Sequence, residues 1–321
     1  MISRRVALGS LTALFAAPSV RAQAPWPTRP VRIIVPFGLG GSADVAARFL
    51  AEPLSQALGQ PFVVENRPGG GATIGTDAVA KAAPDGHTLL LMSNTHTANE
   101  TLLPSRPYVL LRDLAPVAAI NVAYHVLAIH PSLPVRTLPE LVAHLKANPG
   151  RVDYASSGPG TPYHIAGEVF AAMAGVEINH IPFRGSNEAR TAVIAGQVPM
   201  MFDAIPTMRE QITGGRVLGL ATTGPERSPL LPELPAVAET VAGYEASIWL
   251  GLMAPAAVPR AVVDRLNAEV NRLLALPATQ EAQARMGALP MPMTIEAFRA
   301  FVTRDVDRQR EWIRMARIQA N

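Results

Sequence analysis

Val31-Arg32-Ile33-Ile34-Val35-Pro36-Phe37, followed at once by Gly38-Leu39-Gly40-Gly41-Ser42-Ala43-Asp44, decides the fold of this chain. The first seven residues are a short apolar run rich in β-branched side chains, the signature of a buried strand. The glycines then turn the chain, and the pattern predicts a helix over 43–58 that Gly59 stops. The same rhythm continues with a strand over 61–65, a turn at Arg67–Gly71, a helix over 74–83 and a strand over 88–92. Strand, helix, strand, helix, strand predicts a parallel sheet covered by helices on both faces.

Further along, strands are predicted over 117–120 and 125–129, and the alternation then restarts. A helix over 138–148 is followed by a strand over 153–155, a glycine turn at Ser156–Gly160 and a helix over 162–173 stopped by Gly175. Strands over 178–181, 198–202 and 217–221 enclose a helix over 187–195, and the four prolines of 225–235 mark a loop. After a strand over 247–253 the chain reads as helical, over 258–276, 279–286 and 294–318. The fold class is therefore α/β in two units. A length of 321 residues with 49% hydrophobic content suits two domains, each with its own core.

The first 22 residues stand apart. Arg4 and Arg5 precede an apolar stretch from Val6 to Ala17, and Val20-Arg21-Ala22 offers small residues for cleavage before Gln23. This reads as a cleaved signal peptide, of the Sec or, through Arg4-Arg5, the twin-arginine type. Removing Arg4, Arg5 and Arg21 from the 28 basic residues leaves 25 against 25 acidic ones, so no basic surplus favours nucleic acid. The absence of cysteine excludes disulfides, thiol catalysis, a Cys-ligated metal and a lipoprotein anchor. With no later run of 18 apolar residues, the exported chain is expected to be soluble.

Two segments share one design of strand, glycine turn and helix start: Val35–Asp44 and Tyr154–His164. Free N–H groups and the helix dipole make such ends anion sites, and glycine lets a ligand approach the backbone. For either turn alone a plain βα connection is an equally good reading; two copies, one in each half, favour an anion held between domains. Gly38, Gly40 and Ala43 also fill a dinucleotide fingerprint, with Glu65 about 20 residues on. Export argues against that cofactor. The Gly-Lys-Ser/Thr of a phosphate loop is missing, and Lys81 and Lys146 are the only lysines. A carboxylate, which needs fewer donors, suits two helix ends.

Enzymatic readings are weaker. Ser156 or Ser157 with His164 and Asp203 can be drawn as a triad, but no G-x-S-x-G surrounds either serine. The seven histidines show no metal-binding spacing. Three other places follow predicted strands and can face a cleft: Ser93–Thr97, Ile181–Ser186 and Met201–Asp203.

Pro30–Phe37 with Gly40-Gly41-Ser42-Ala43-Asp44, then Val64–Gly69, Ala83–Leu89, Tyr154–Gly158, His164–Glu168, Pro182–Gly185 and Gly196–Asp203 together resemble, in order, the Bug family, the TctC-like receptors of tripartite tricarboxylate transporters. The likeness spans essentially the whole chain after residue 22. It implies a two-domain periplasmic-binding-protein fold of type II-like form with a ligand cleft between domains. Residues 25–122 plus 248–321 would form domain 1, to which the helical tail returns, and 123–247 domain 2. It implies a periplasmic monomer without cofactor that hands a small carboxylate (a di- or tricarboxylate, an acidic amino acid or an aromatic acid) to membrane transporter subunits. Carried over by position, the ligand-binding candidates are Phe37, Gly41, Ser42, Asp44, Ser157, Thr161, His164 and Asp203, and Thr95, Gly158 and Phe183, in the turns that follow predicted strands, are added to them. His87 and Phe183 stand where Tyr is common, and Gly38-Leu39 replaces a loop that often holds Pro and Ala. A secreted hydrolase or a dinucleotide-dependent enzyme is the alternative.

Overall fold

The computed structural model describes residues 26–319, so the segment read as a signal peptide lies outside the described residues. The elements run β1 (Val31–Val35), α1 (Ser42–Leu58), β2 (Phe62–Asn66), α2 (Thr73–Ala80), β3 (Thr88–Ser93), α3 (Asn94–Leu102), α4 (Leu110–Asp113), β4 (Leu114–Ile129), α5 (Leu138–Ala147) and β5 (Asp153–Ser156). They continue with α6 (Pro162–Ala174), β6 (Asn179–Pro182), α7 (Ser186–Ile194), β7 (Met200–Ala204), α8 (Ile205–Thr213), β8 (Leu218–Thr222), β9 (Ser247–Pro255), α9 (Arg260–Leu274), α10 (Pro277–Arg285), β10 (Ala288–Pro290) and α11 (Ile295–Met315).

Glycine sets the helix ends where the sequence placed them. Gly59 takes the left-handed conformation at φ 74° and returns its N–H to Ser55 O at 3.0 Å, and Gly175 closes α6 at φ 65°. Both conformations are costly for residues with a Cβ.

The strands form one continuous network in the order β2-β1-β3-β9-β4-β7-β5-β6, with β8 and β10 also paired to β4. β1 is parallel to β2 and β3, and β5 is parallel to β6 and β7, so each half has its own parallel set. β4 and β9 join them. The first part of β4 pairs antiparallel with β9 and β10; its last five residues, His125–Ile129, pair with β7. The two predicted strands over 117–120 and 125–129 are thus one 16-residue strand, because Asn121–Tyr124 keep their pairing to β9.

Side-chain alternation feeds separate cores. In β1, Ile33 and Val35 pack with α1 and α9, while Ile34 packs with Val79 of α2 and Phe298 of α11 on the other face. In β4, Leu127 and Ile129 join α5 and α6, while Val126 and Ala128 join α7 and α8. Helix α11 begins on the first half through Phe298 and Val302 and ends with Ile313 among residues of the second half. Its buried Asp305 accepts hydrogen bonds from Thr97 of α3 at 2.6 Å and from the Trp249 indole of β9 at 3.0 Å. Helix α3 was not among the predicted helices; Asn94, Thr95, Thr97 and Asn99 are weak helix formers. Ser93 caps it, and packing on α11 holds it.

Candidate functional site

Between the two halves lies a cleft of about 660 Å³. It is bounded by the turns that follow β1, β2, β5 and β6, and by the start of α3. These are carboxyl ends of strands, where open α/β sheets bind ligands. Helices α1, α2, α6 and α7 all begin at this cleft. Their N-cap residues, Gly41, Ala72, Thr161 and Gly185, make no side-chain capping hydrogen bond. In α2 the Thr73 and Ile74 N–H groups bond Gly70 O and Gly69 O, so it is at α1, α6 and α7 that first-turn N–H groups are left for an anion. One side chain adds to this: Thr95 is 1% exposed, lines the cleft, and its Oγ1 has no hydrogen-bond partner.

The turns are held from behind by a repeated device. Gly40 N–H donates to Asp44 Oδ2 at 3.0 Å, Gly160 N–H to His164 Nδ1 at 3.0 Å, and Arg184 N–H to Glu188 Oε2 at 3.3 Å. In each case an acceptor one helical turn into the helix grips the turn that leads to it. Asn66 Nδ2 and Arg48 also bond Asp44. Burial works to raise the Asp44 carboxyl, but these hydrogen bonds outweigh it and hold it below its ordinary value. His164 stacks on His180 at 3.9 Å between centroids; burial first, and then the neighbouring ring, push it down to about 3. It is thus neutral and accepts at Nδ1.

Eight of the eleven sequence candidates line the cleft: Phe37, Gly41, Ser42, Thr95, Ser157, Gly158, Thr161 and Phe183. Asp44, His164 and Asp203 do not line it; Asp44 and His164 bond the turns from behind, and Asp203 lies buried beneath them. Asp203 is fully buried and accepts from Arg190 Nε at 2.6 Å. Burial raises its carboxyl despite that guanidinium. Arg190 in turn donates to Asn187 Oδ1 at 2.9 Å, and Asn187 Nδ2 donates to Leu39 O at 3.3 Å, so the chain reaches the opposite half. A second bridge links Ser42 Oγ and the Tyr163 hydroxyl at 3.0 Å. Tyr163, Asn187 and Ile248 are cleft residues that the sequence reading missed. Tyr163 lies inside the segment Tyr154–His164, so the helix period could have placed it one step from Pro162; nothing in the local sequence marks Ile248.

Ser156 Oγ pairs with His180 Nε2 at 2.6 Å rather than with His164, and no group of three or more potential metal ligands occurs among the described residues.

The profile of the family described as "TctC: Tripartite tricarboxylate transporter family receptor" matches residues 46–318. The chain belongs to this receptor family. Protein BugT of Bordetella pertussis is 40% identical to the receptor over 288 residues, which cover 88% of each chain. The structure of R. palustris Rpa4515 with adipate superposes with a TM-score of 0.88 at 31% identity, covering 92% of the receptor and 99% of that chain. MatC from Rhodopseudomonas palustris with bound malate gives 0.83 at 30% identity, covering 90% of the receptor and 100% of that chain. The fold is that of the periplasmic binding proteins, and proteins of this family are periplasmic receptors rather than enzymes. No helix among the described residues is long and apolar enough to cross a membrane.

Proposed function

We propose that the receptor captures a small carboxylate in this cleft as a monomer and delivers it to the membrane subunits of its transporter. The observation that carries this is the convergence of three uncapped helix N-termini, those of α1, α6 and α7, with the unpartnered Thr95 hydroxyl. Together they offer donors and positive dipole ends with no cationic side chain buried among them. Rpa4515 and MatC, which hold adipate and malate, support the reading. In it, Phe37, Gly41, Ser42, Thr95, Ser157, Gly158, Thr161 and Phe183 contact the ligand, and Asp44, His164 and Asp203 hold the contacting loops.

Residues 25–122 with 248–321 form one closing body and 123–247 the other, with the end of α11 reaching across to the second at Ile313. The hinge lies where β4 and β9 pass between them, and Ser42–Tyr163 and Leu39–Asn187 are contacts of the closed state. Residues 1–22 direct export and are removed before Gln23. Native mass spectrometry of receptor purified from the periplasm tests this. A bound acid released unchanged on denaturation, from a chain that starts near Gln23, is expected. Turnover of the acid, or a full-length membrane-retained chain, would refute the corresponding part.

A further inference from the structure

A cleft that binds carboxylates must still choose among a hydroxylated acid, an amino acid and a plain hydrocarbon acid. The polar side chains around this cleft are largely engaged already. Ser42 bonds Tyr163, Thr161 Oγ1 donates to Gly158 O at 2.7 Å, Ser93 Oγ accepts from Thr95 N–H, and Asn187 bonds both Leu39 and Arg190. What remains is the set of helix N–H groups, Ser157 in the turn beside one of them, Ser186 at the start of α7, Thr95 Oγ1 and the exposed Arg184 guanidinium. All of these suit a carboxylate. Carboxylates that could meet an ammonium are withheld, since Asp44 and Asp203 face Arg48 and Arg190 behind the loops. Glu188, the one acidic side chain that lines the cleft, is exposed at the rim. The rest of the wall is apolar: Phe37, Pro68, Pro159, Phe183 and the buried Ile248.

Resting on the carboxylate reading above, we propose that the ligand is an acid whose body is a bare methylene chain or aromatic ring, without hydroxyl or ammonium groups. Its carboxylate meets the helix ends and Thr95, and its body lies against Phe37, Phe183 and Ile248. A hydroxyl on that body would trade water for Phe37, Phe183 and Ile248, which offer no partner, and an ammonium there would be stripped of water without a counter-charge.

The test is calorimetric titration of the full exported chain with two matched pairs: adipate against galactarate, its tetrahydroxy counterpart, and glutarate against glutamate. Adipate and glutarate should bind at least about 100-fold more tightly than their partners, since a single added hydroxyl in an apolar pocket is already rejected about 100-fold. Galactarate within tenfold of adipate, or glutamate within tenfold of glutarate, overturns the proposal and leaves the carboxylate reading intact. If none of the four acids binds, and benzoate and citrate do not bind either, the carboxylate reading falls and this proposal with it. Phe183→Asn should narrow the adipate preference at least about tenfold, and an unchanged ratio in that variant also counts against it.

Discussion

Gly41→Asp separates binding from stability. Gly41 is the N-cap of α1, with φ −78° and ψ 168°, an extended conformation that aspartate adopts freely. A Cβ at this position would meet only Gly38 O, at 3.7 Å, an ordinary contact. Aspartate is a better N-cap than glycine by a few tenths of a kcal/mol, so the unliganded variant should melt at or slightly above the parent temperature. Its carboxylate, however, takes the donors and the dipole end assigned to the ligand. Two like charges about 4 Å apart at an effective dielectric constant near 20 repel by about 4 kcal/mol, close to a thousandfold in affinity. With adipate at about 100 times the parent Kd, the parent gains about 2.7 kcal/mol, or roughly 5–10 °C in a thermal melt, while the variant gains almost nothing. Gly41→Asn, of the same shape and uncharged, should keep part of the shift. If Gly41→Asp retains the full shift, or if Gly41→Asn loses as much as Gly41→Asp, the ligand's charge does not lie at this helix end.

Tyr163→Phe removes one closed-state bridge and should weaken binding by about 0.5–1.5 kcal/mol, seen mostly as faster dissociation in stopped-flow traces. Arg190→Ala leaves Asp203 buried without its cation and should cost about 3–5 kcal/mol in urea denaturation at neutral pH. Because burial raises this carboxyl, the protonated form is the one the fold tolerates, so that cost should shrink as pH falls toward the ordinary value of 3.8. His96 and His125 are pushed down by burial to about 4 and about 3 from an ordinary 6.5, and His164 and His180 behave alike. The unfolded chain then binds more protons than the fold, so their contribution is whole above pH 6.5 and is lost as pH falls toward about 4, by at most about 1.4 kcal/mol per pH unit for each fully buried ring. Neither ring nitrogen of His125 has a hydrogen-bond partner, so His125→Phe should keep neutral-pH stability and flatten this acid slope by about one proton in urea titrations.

The glycine turns were legible because their chemistry is local. Gly38–Ser42 and Ser156–Gly160 announce a strand end and a helix start within ten residues, and both turns line the cleft. Asp44, His164 and Asp203 lie one layer behind the residues that line the cleft. Sequence proximity to a turn does not tell whether a side chain faces the cleft or grips the loop from behind. Asp44 and His164, at the same distance from Gly40 and Gly160, do the latter. Helices α3 and α8 and strand β10 escaped notice because tertiary packing stabilises them: α3 through α11, and the three-residue β10 through its pairing to β4. The contacts that tie Tyr163 to Ser42 and Asn187 to Leu39 span 121 and 148 residues, and no local pattern encodes such pairings.

A strand shared by two sheets makes the halves interdependent in a way that two domains on a flexible tether are not. Along β4, Leu127 and Ile129 face one core and Val126 and Ala128 the opposite one, while Val117, Ala118 and Ile120 fill the first half. Deleting a single residue near Asn121 would reverse the facing of everything beyond it relative to everything before it. One half could keep its register only by turning the other's core side outward. Insertions and deletions in β4 should therefore be lethal to the whole molecule, whereas the same change in the proline-rich segment 225–235 would stay local.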